Sequence, residues 1–303
     1  MDRDVLVVGE SLVDVVRRAD GSVVEHAGGS AANVAVALAR LGRPVRFATA
    51  IADDRYGGIV AAHIGRDGVR LASDPEVVER TASAAAMLAV DGSASYEFDL
   101  EWRLGEVPDE PRPLAVHACS IGAVLAPGAA QVRDLLARMR PHATITYDVN
   151  ARPAITGTGP DLRAAVEAVV ALADVVKASD EDLQVLHPDA DPVTAARRLL
   201  DLGPVAVVVT RGADGSTWVA ADGTVDVPAQ TAVVVDTIGA GDTFGAALLD
   251  GLWTRGLLGS DARPALADLR DVDRAALLQH AARAAALVVA RPGADPPYRK
   301  ELG

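Results

Sequence analysis

Short apolar runs recur along the chain, each closed by a polar or glycine turn. Val5-Leu6-Val7-Val8 followed by Gly9 reads as a buried strand, because a strand covered on both faces shows continuous apolar residues rather than alternation. The next stretch, GESLVDVVRRADGSVVEH, alternates apolar and polar positions on either side of Asp20-Gly21 and predicts a hairpin with one face buried. Residues 28 to 42, GGSAANVAVALARLG, read as a helix with Ser30 as N-cap and Gly42 as stop. Val45 to Ala50 predicts another strand, and Asp53-Asp54 caps a helix to about Arg66. Ala84 to Val90 and Ser95 to Leu100 flank Asp91-Gly92 as a second hairpin.

From about Leu114 onward, strands and helices alternate. Strands are expected at 116–120, 144–147, 175–177 and 205–209, with helices at 131–139 and 161–172 and a further helix opened by Ser179-Asp180-Glu181-Asp182-Leu183. Such βαβ alternation implies a parallel sheet with helices on both faces. A hairpin is expected across Asp222-Gly223, a strand at Val233-Val234-Val235 and a long Ala-rich helix from Arg274 to Ala290. The expected fold is therefore α/β: a central, mostly parallel sheet flanked by helices, with a small separate sheet from the hairpins. We find no repeat, low-complexity stretch or linker, so residues 1–303 read as one domain.

Composition narrows the function classes. Half the residues are hydrophobic, ample for one large core. A net charge of −13 and a pI near 4.8 argue against nucleic acid as a partner. Cys119 stands alone, which excludes an intramolecular disulfide framework. No apolar run approaches membrane length, and Asp2, Arg3 and Asp4 precede only a short one, so no signal peptide or membrane association is expected and the protein reads as cytoplasmic.

The chemistry concentrates in Asp236 to Leu252, DTIGAGDTFGAALLDGL. Gly239 and Gly241 allow a tight turn, and the helix opening behind them offers unpaired N–H groups and the positive end of its dipole. That is a cradle for an anion. Asp242, in the same turn, either caps the helix or accepts a proton from a hydroxyl beside the cradle. Anion cradle and base together fit phosphoryl transfer, whose loose transition state needs fixed donors and an oriented nucleophile. A dinucleotide fingerprint is excluded because Phe244 stands where its third glycine belongs; a P-loop is excluded because Lys occurs only at 177 and 300.

DTIGAGDTF resembles the C-terminal signature of the ribokinase-like (PfkB) carbohydrate kinases, and GGSAAN at 28 to 33 is similar to their N-terminal signature. The resemblance covers essentially the whole chain. It implies a ribokinase-like fold whose lid is built from about 11–27 and 84–104. It also implies that Asp242 is the catalytic base, that the backbone of Gly239, Ala240 and Gly241 forms the anion hole, and that Asp14, Gly28, Gly29 and Asn33 hold the sugar. Asp148-Val149-Asn150-Ala151-Arg152 matches a segment near sugar and phosphate, placing Arg152 with the substrate and Asn150 with ATP. The family's K-x-N-x-x-E segment falls on Lys177 to Asp182, with Ser179 for Asn and Asp182 for Glu. It implies ATP contacts there, with Asp182 reaching Mg2+ through water. Thr210, Gly212 and Gly215 match a nucleotide-phosphate turn, Ala282 replaces a common adenine-side Asn, and RPGADPP at 291 to 297 is similar to fructokinase-like members. A monovalent cation, K+, is expected near Asp236 and Ile238, and the lid is expected to double as a homodimer interface.

One departure concerns substrate. Fructokinase-type members carry a longer segment with a Gly-Thr-Ala piece before the Trp, whereas this chain has YEFDLEWRL from Tyr96 to Leu104. The expected activity is ATP-dependent phosphorylation of a primary hydroxyl of a small sugar. The alternatives are 2-keto-3-deoxygluconate, ribose, a sugar phosphate or a nucleoside as acceptor. Outside that class stand a non-catalytic sugar- or nucleotide-binding regulator and a nicotinamide-dependent oxidoreductase.

Overall fold

The structure, a computed structural model, describes the backbone of residues 3–18, 20–88 and 94–303, and the side chains of all of these but 88 and 94–96. The turn expected at Asp91-Gly92 lies outside the described residues.

The main sheet runs β13-β12-β11-β10-β9-β8-β1-β4-β5. Its strands are β1 (Val5–Val8), β4 (Val45–Ala48), β5 (Arg70–Leu71), β8 (Ala115–Cys119), β9 (Thr144–Asp148), β10 (Val175–Ser179), β11 (Ala206–Thr210), β12 (Ser216–Ala220) and β13 (Gly223–Val227). All pairs from β5 to β11 are parallel, and the β12–β13 hairpin closes one edge in antiparallel fashion. Alternate residues of β1 serve different layers, as expected for a strand covered twice. Val5 and Val7 belong to the layer that holds the helices Ser30–Arg40, Ala240–Thr254 and Asp271–Val289, while Leu6 and Val8 belong to the layer of Gly128–Met139, Pro160–Val170 and Pro192–Leu200. The helix Pro192–Leu200, capped by Asp191, is an element the sequence pattern did not single out.

The second sheet has the order β3-β2-β6-β7, with β2 (Leu12–Arg17), β3 (Val23–Gly28), β6 (Ser83–Leu88) and β7 (Ala94–Asp99). Each expected hairpin is present, and they join through a parallel β2–β6 pair. One face of β2, Val13 and Val15, is buried in the core near Tyr56 and Ile59 of the helix Arg55–Arg66. The opposite face carries the cross-strand row His26, Asp14, Ala84, Phe98. Trp102 and Leu104, at the end of the segment expected in the lid, are buried in the body, where Trp102 Nε1 donates to Gly122 O at 2.8 Å.

One expected strand is absent. Val233, Val234 and Val235 are exposed, and the amides of Val235 and Asp236 donate to Val289 O at the end of the helix Asp271–Val289. A β-branched run forms a strand where it finds a pleated, half-buried surface. Here it crosses the body as a loop. Among the described residues no helix is long and apolar enough to cross a membrane.

Candidate active site

The parallel strands all end on one rim, where ligands of open α/β sheets sit. Register brings Val8 beside Ala48 and Ala118, Cys119 beside Asp148, Asp148 beside Lys177, and Ser179 beside Thr210. Asn150, Arg152, Ser179, Asp182, Thr210, Gly212 and Gly215 lie at or just past these strand ends, while, Asp236 apart, the other expected residues come from the second sheet and from the starts of the helices Ser30–Arg40 and Ala240–Thr254.

Asp242 sits in the first turn of the helix Ala240–Thr254 and is buried. The residue before the helix, Gly239, has φ 77°, a left-handed conformation that glycine adopts without strain. A Cβ there would also lie 2.8 Å from the Ala294 side chain. Of the two roles open to Asp242, capping is absent: the helix has no side-chain cap. Its Oδ1 accepts from Ser30 Oγ at 2.6 Å and its Oδ2 from Asn33 Nδ2 at 2.7 Å. Ser30 is correspondingly not the N-cap of its own helix. Gly29, at φ 100°, holds that position, and the Ser30 hydroxyl turns across to Asp242. Two helix N-termini thus meet at one carboxylate, and both dipoles favour negative charge there. In the glycine turn before this helix, Ala240 N–H donates to Thr237 O at 3.2 Å, and Gly241 lies exposed beside it.

Gly28 ends β3 against Asp14, where a Cβ would fall inside the carboxylate. Asp14 is raised above the usual range by partial burial in the cleft, opposed by His26 and Arg152. Arg152 is exposed, and its Nη1 donates to Ala151 O at 2.9 Å. Glu10, which the sequence reading passed over, is buried at the end of β1 and accepts from Gly122 N at 2.8 Å. Burial pushes its carboxyl up to about 7, with hydrogen bonds from its own and the Gly122 amides pulling the other way and Asp242 and Arg152 as charged neighbours. The signal for it was an acid placed directly after a buried strand, on the ligand-binding rim.

Behind Asp242, Lys177 Nζ contacts Asp148 Oδ1 at 3.0 Å and Oδ2 at 2.8 Å, both side chains buried. Burial alone would discharge the lysine, but Asp148, with Asp182 and Asp242 beyond it, holds it above its usual value. The ammonium lies under Gly241: a Cβ on that glycine would stand 3.4 Å from Nζ.

Asp182 is committed to the backbone. Its Oδ1 accepts from Ala151 N at 2.7 Å and its Oδ2 from Ser179 N at 2.8 Å, while Ser179 Oγ accepts from Asp182 N in a capping box. Asn150 has φ 37°, and its buried Nδ2 lacks a hydrogen-bond partner. Thr210 ends β11, and Gly212 and Gly215 bound the exposed turn that follows. Asp236 lies apart from the carboxylate cluster. It accepts from Ile238 N at 3.0 Å and Gly293 N at 2.9 Å, which ties the turn before Asp242 to the 291–295 loop.

Residues 2–301 match the family model for pfkB family carbohydrate kinases. The chain belongs to that carbohydrate kinase family. A fructokinase from Rhizobium leguminosarum bv. trifolii is 34% identical over 265 residues, spanning 84% of this kinase and 81% of the relative. The crystal structure of a fructokinase with bound ATP from Xylella fastidiosa has a TM-score of 0.89 at 27% identity, covering 100% of this kinase and 97% of that chain. A fructokinase from Vibrio cholerae O395, in its fructose, ADP and calcium ion bound form, has a TM-score of 0.74 at 25% identity, covering 96% and 94%. The kinase is an ATP-dependent phosphotransferase acting on a carbohydrate alcohol group, with the ribokinase-like fold expected of it.

Proposed function

We propose that the kinase phosphorylates a primary hydroxyl of fructose or a closely similar neutral sugar, with Asp242 as the catalytic base. The observation that carries this reading is the Asp242 carboxylate, buried at the meeting of two helix N-termini. In the proposed complex the sugar lies under the lid against Asp14, Gly28, Gly29 and Asn33, with Arg152 at the mouth. Its hydroxyl donates to Asp242 as the oxygen approaches the γ-phosphorus. Charge building on the transferred group is met by the amides of Gly239 and Gly241, while Ala240, whose N–H is taken by Thr237 O, holds the turn between them. The lid then keeps water from the γ-phosphate. Asp14 and Glu10 both stand near Arg152, so the acid balance of the cleft favours a neutral polyol over a keto-acid.

ATP lies along Asn150, Ser179, Asp182, Thr210, Gly212 and Gly215 in this reading. The unpartnered amide of Asn150 fits a phosphate oxygen. Among the described residues no group of three or more His, Cys, Asp or Glu is arranged to hold a metal. A magnesium ion carried on the ATP phosphates, keeping its waters and touching Asp182 through one of them, suits that arrangement. Such an ion neutralises phosphate charge. Potassium is placed at the backbone near Asp236 and Ile238, where the turn is held by the Asp236 side chain. We place the protein in the cytoplasm, as a homodimer through the lid. Exposed Val23 and Met87 at the lid tip support that contact, and sedimentation of Met87→Glu as a monomer against a dimeric wild type tests it.

The deciding experiment is coupled ADP release across sugars, keto-acids and nucleosides, with Asp242→Asn alongside. Fructose-dependent ADP formation, lowered by orders of magnitude in the variant while ADP still binds, is the expected result. Wild-type turnover in the variant refutes the role of Asp242, and preference for another acceptor refutes fructose.

A further inference from the structure

Ser30 has a place in the mechanism that neither its residue type nor its position in a helix announces. It is buried, it begins the helix Ser30–Arg40, and it makes no capping bond. Its Oγ lies 2.6 Å from Asp242 Oδ1, while the other oxygen of the same carboxylate is held by Asn33. A carboxylate on a single tether rotates about its own axis; one gripped at both oxygens has its remaining lone pairs fixed in direction. The hydroxyl proton is itself directed. The Cys119 thiol is buried at the end of β8, and burial raises its pKa well above the ordinary value, which keeps it neutral beside the pair. A carboxylate oxygen accepts, so the serine's own proton goes to Asp242.

We propose that Ser30 is a positioning residue for Asp242, fixing the carboxylate so that its free lone pair faces the incoming sugar hydroxyl. The proposal rests on Asp242 being the base. The charged or titratable groups near the pair are Glu10 from the end of β1, Cys119 from β8, Asp148 from β9 and Lys177 from β10. None of them replaces the hydrogen bond to Oδ1.

The test compares Ser30→Ala and Ser30→Cys, alone and combined with Asp242→Asn. The cysteine variant keeps the volume and supplies only a weak donor, so it remains informative if the alanine variant folds poorly. Both single variants are expected to lose about tenfold in kcat through misorientation of the base. KM for the sugar and for ATP should stay within about twofold, since ground-state binding is untouched. In the Asp242→Asn background, sugar phosphate formed over hours from labelled ATP should fall no further on adding Ser30→Ala, because a residue acting through Asp242 has nothing left to position. Wild-type kcat in both single variants, or an equal further loss in the Asp242→Asn background, overturns the proposal. High activity of Asp242→Asn alone would instead overturn the assignment of the base.

Discussion

Gly28→Ala isolates the role of Asp14 better than removing Asp14 does. Gly28 has an ordinary negative φ, so alanine meets no backbone penalty there. The added Cβ lands inside Asp14 Oδ2 and 3.2 Å from Cγ, with Leu12 Cδ1 at 3.4 Å. An ordinary contact requires the carboxylate to retreat by on the order of 1 Å. The site then keeps its acid and its charge and loses only the placement. A hydrogen bond to an ionised group contributes roughly 1.5–3 kcal/mol, which corresponds to about 10- to 150-fold in affinity. The expectation is a sugar KM raised by that factor, with KM for ATP within about twofold and the melting temperature within roughly 2 °C, the shift that 1 kcal/mol produces in a chain of this size. Steady-state kinetics at varied sugar and fixed saturating ATP, with differential scanning fluorimetry beside them, give all three numbers. An unchanged sugar KM in a folded variant would remove Asp14 from the substrate site.

Further outcomes follow from the buried charges. Lys177→Met should cost about 3–5 kcal/mol in urea unfolding because it leaves Asp148 buried and unpaired, and Lys177→Met with Asp148→Asn should recover part of the loss; equal stability of the single and double variants would refute the pairing. Glu10 titrates near 4.5 when unfolded and near 7 when folded, so between these values the native state holds the proton that the unfolded chain has released. Its contribution therefore lowers stability as pH rises through that window, by on the order of 3 kcal/mol. Glu10→Gln should remove this slope, and parallel wild-type and variant stability curves from pH 4.5 to 7.5 would refute it.

The sequence made the fold legible where periodicity and turn chemistry agreed. The continuous apolar strands of the main sheet, the hairpins at Asp20-Gly21 and Asp222-Gly223 and the glycine turn before Asp242 fall within a residue or two of their expected places. It failed where a residue's partner lies far along the chain. Val233 to Val235 have the composition of a strand, but nothing local reveals that a helix carbonyl takes the amides of Val235 and Asp236. Ser30 has the composition of an N-cap, but its hydroxyl is claimed by a carboxylate 212 positions away. The Lys177–Asp148 pair was hidden for the same reason, its partners standing 29 positions apart, whereas Glu10 left a faint local mark, an acid just past a buried strand, and takes its character from burial. The exposed backbone turns, whose geometry is local, were the easier part.

The order of elements in the main sheet has a consequence for synthesis. β1 pairs in the middle of that sheet, and the core layer on one of its faces holds the helix Ser30–Arg40 together with the late helices Ala240–Thr254 and Asp271–Val289. At about 5–20 residues per second, on the order of 15–60 s separate the emergence of β1 from that of its last cover. Throughout that interval the layer that includes Val5, Val7 and Phe47 has only Ser30–Arg40 of its three long helices in place. The nascent chain is thus a substrate for holding chaperones long before it is a kinase, and its yield in a cell should respond to their supply more than to any change at the rim of the sheet.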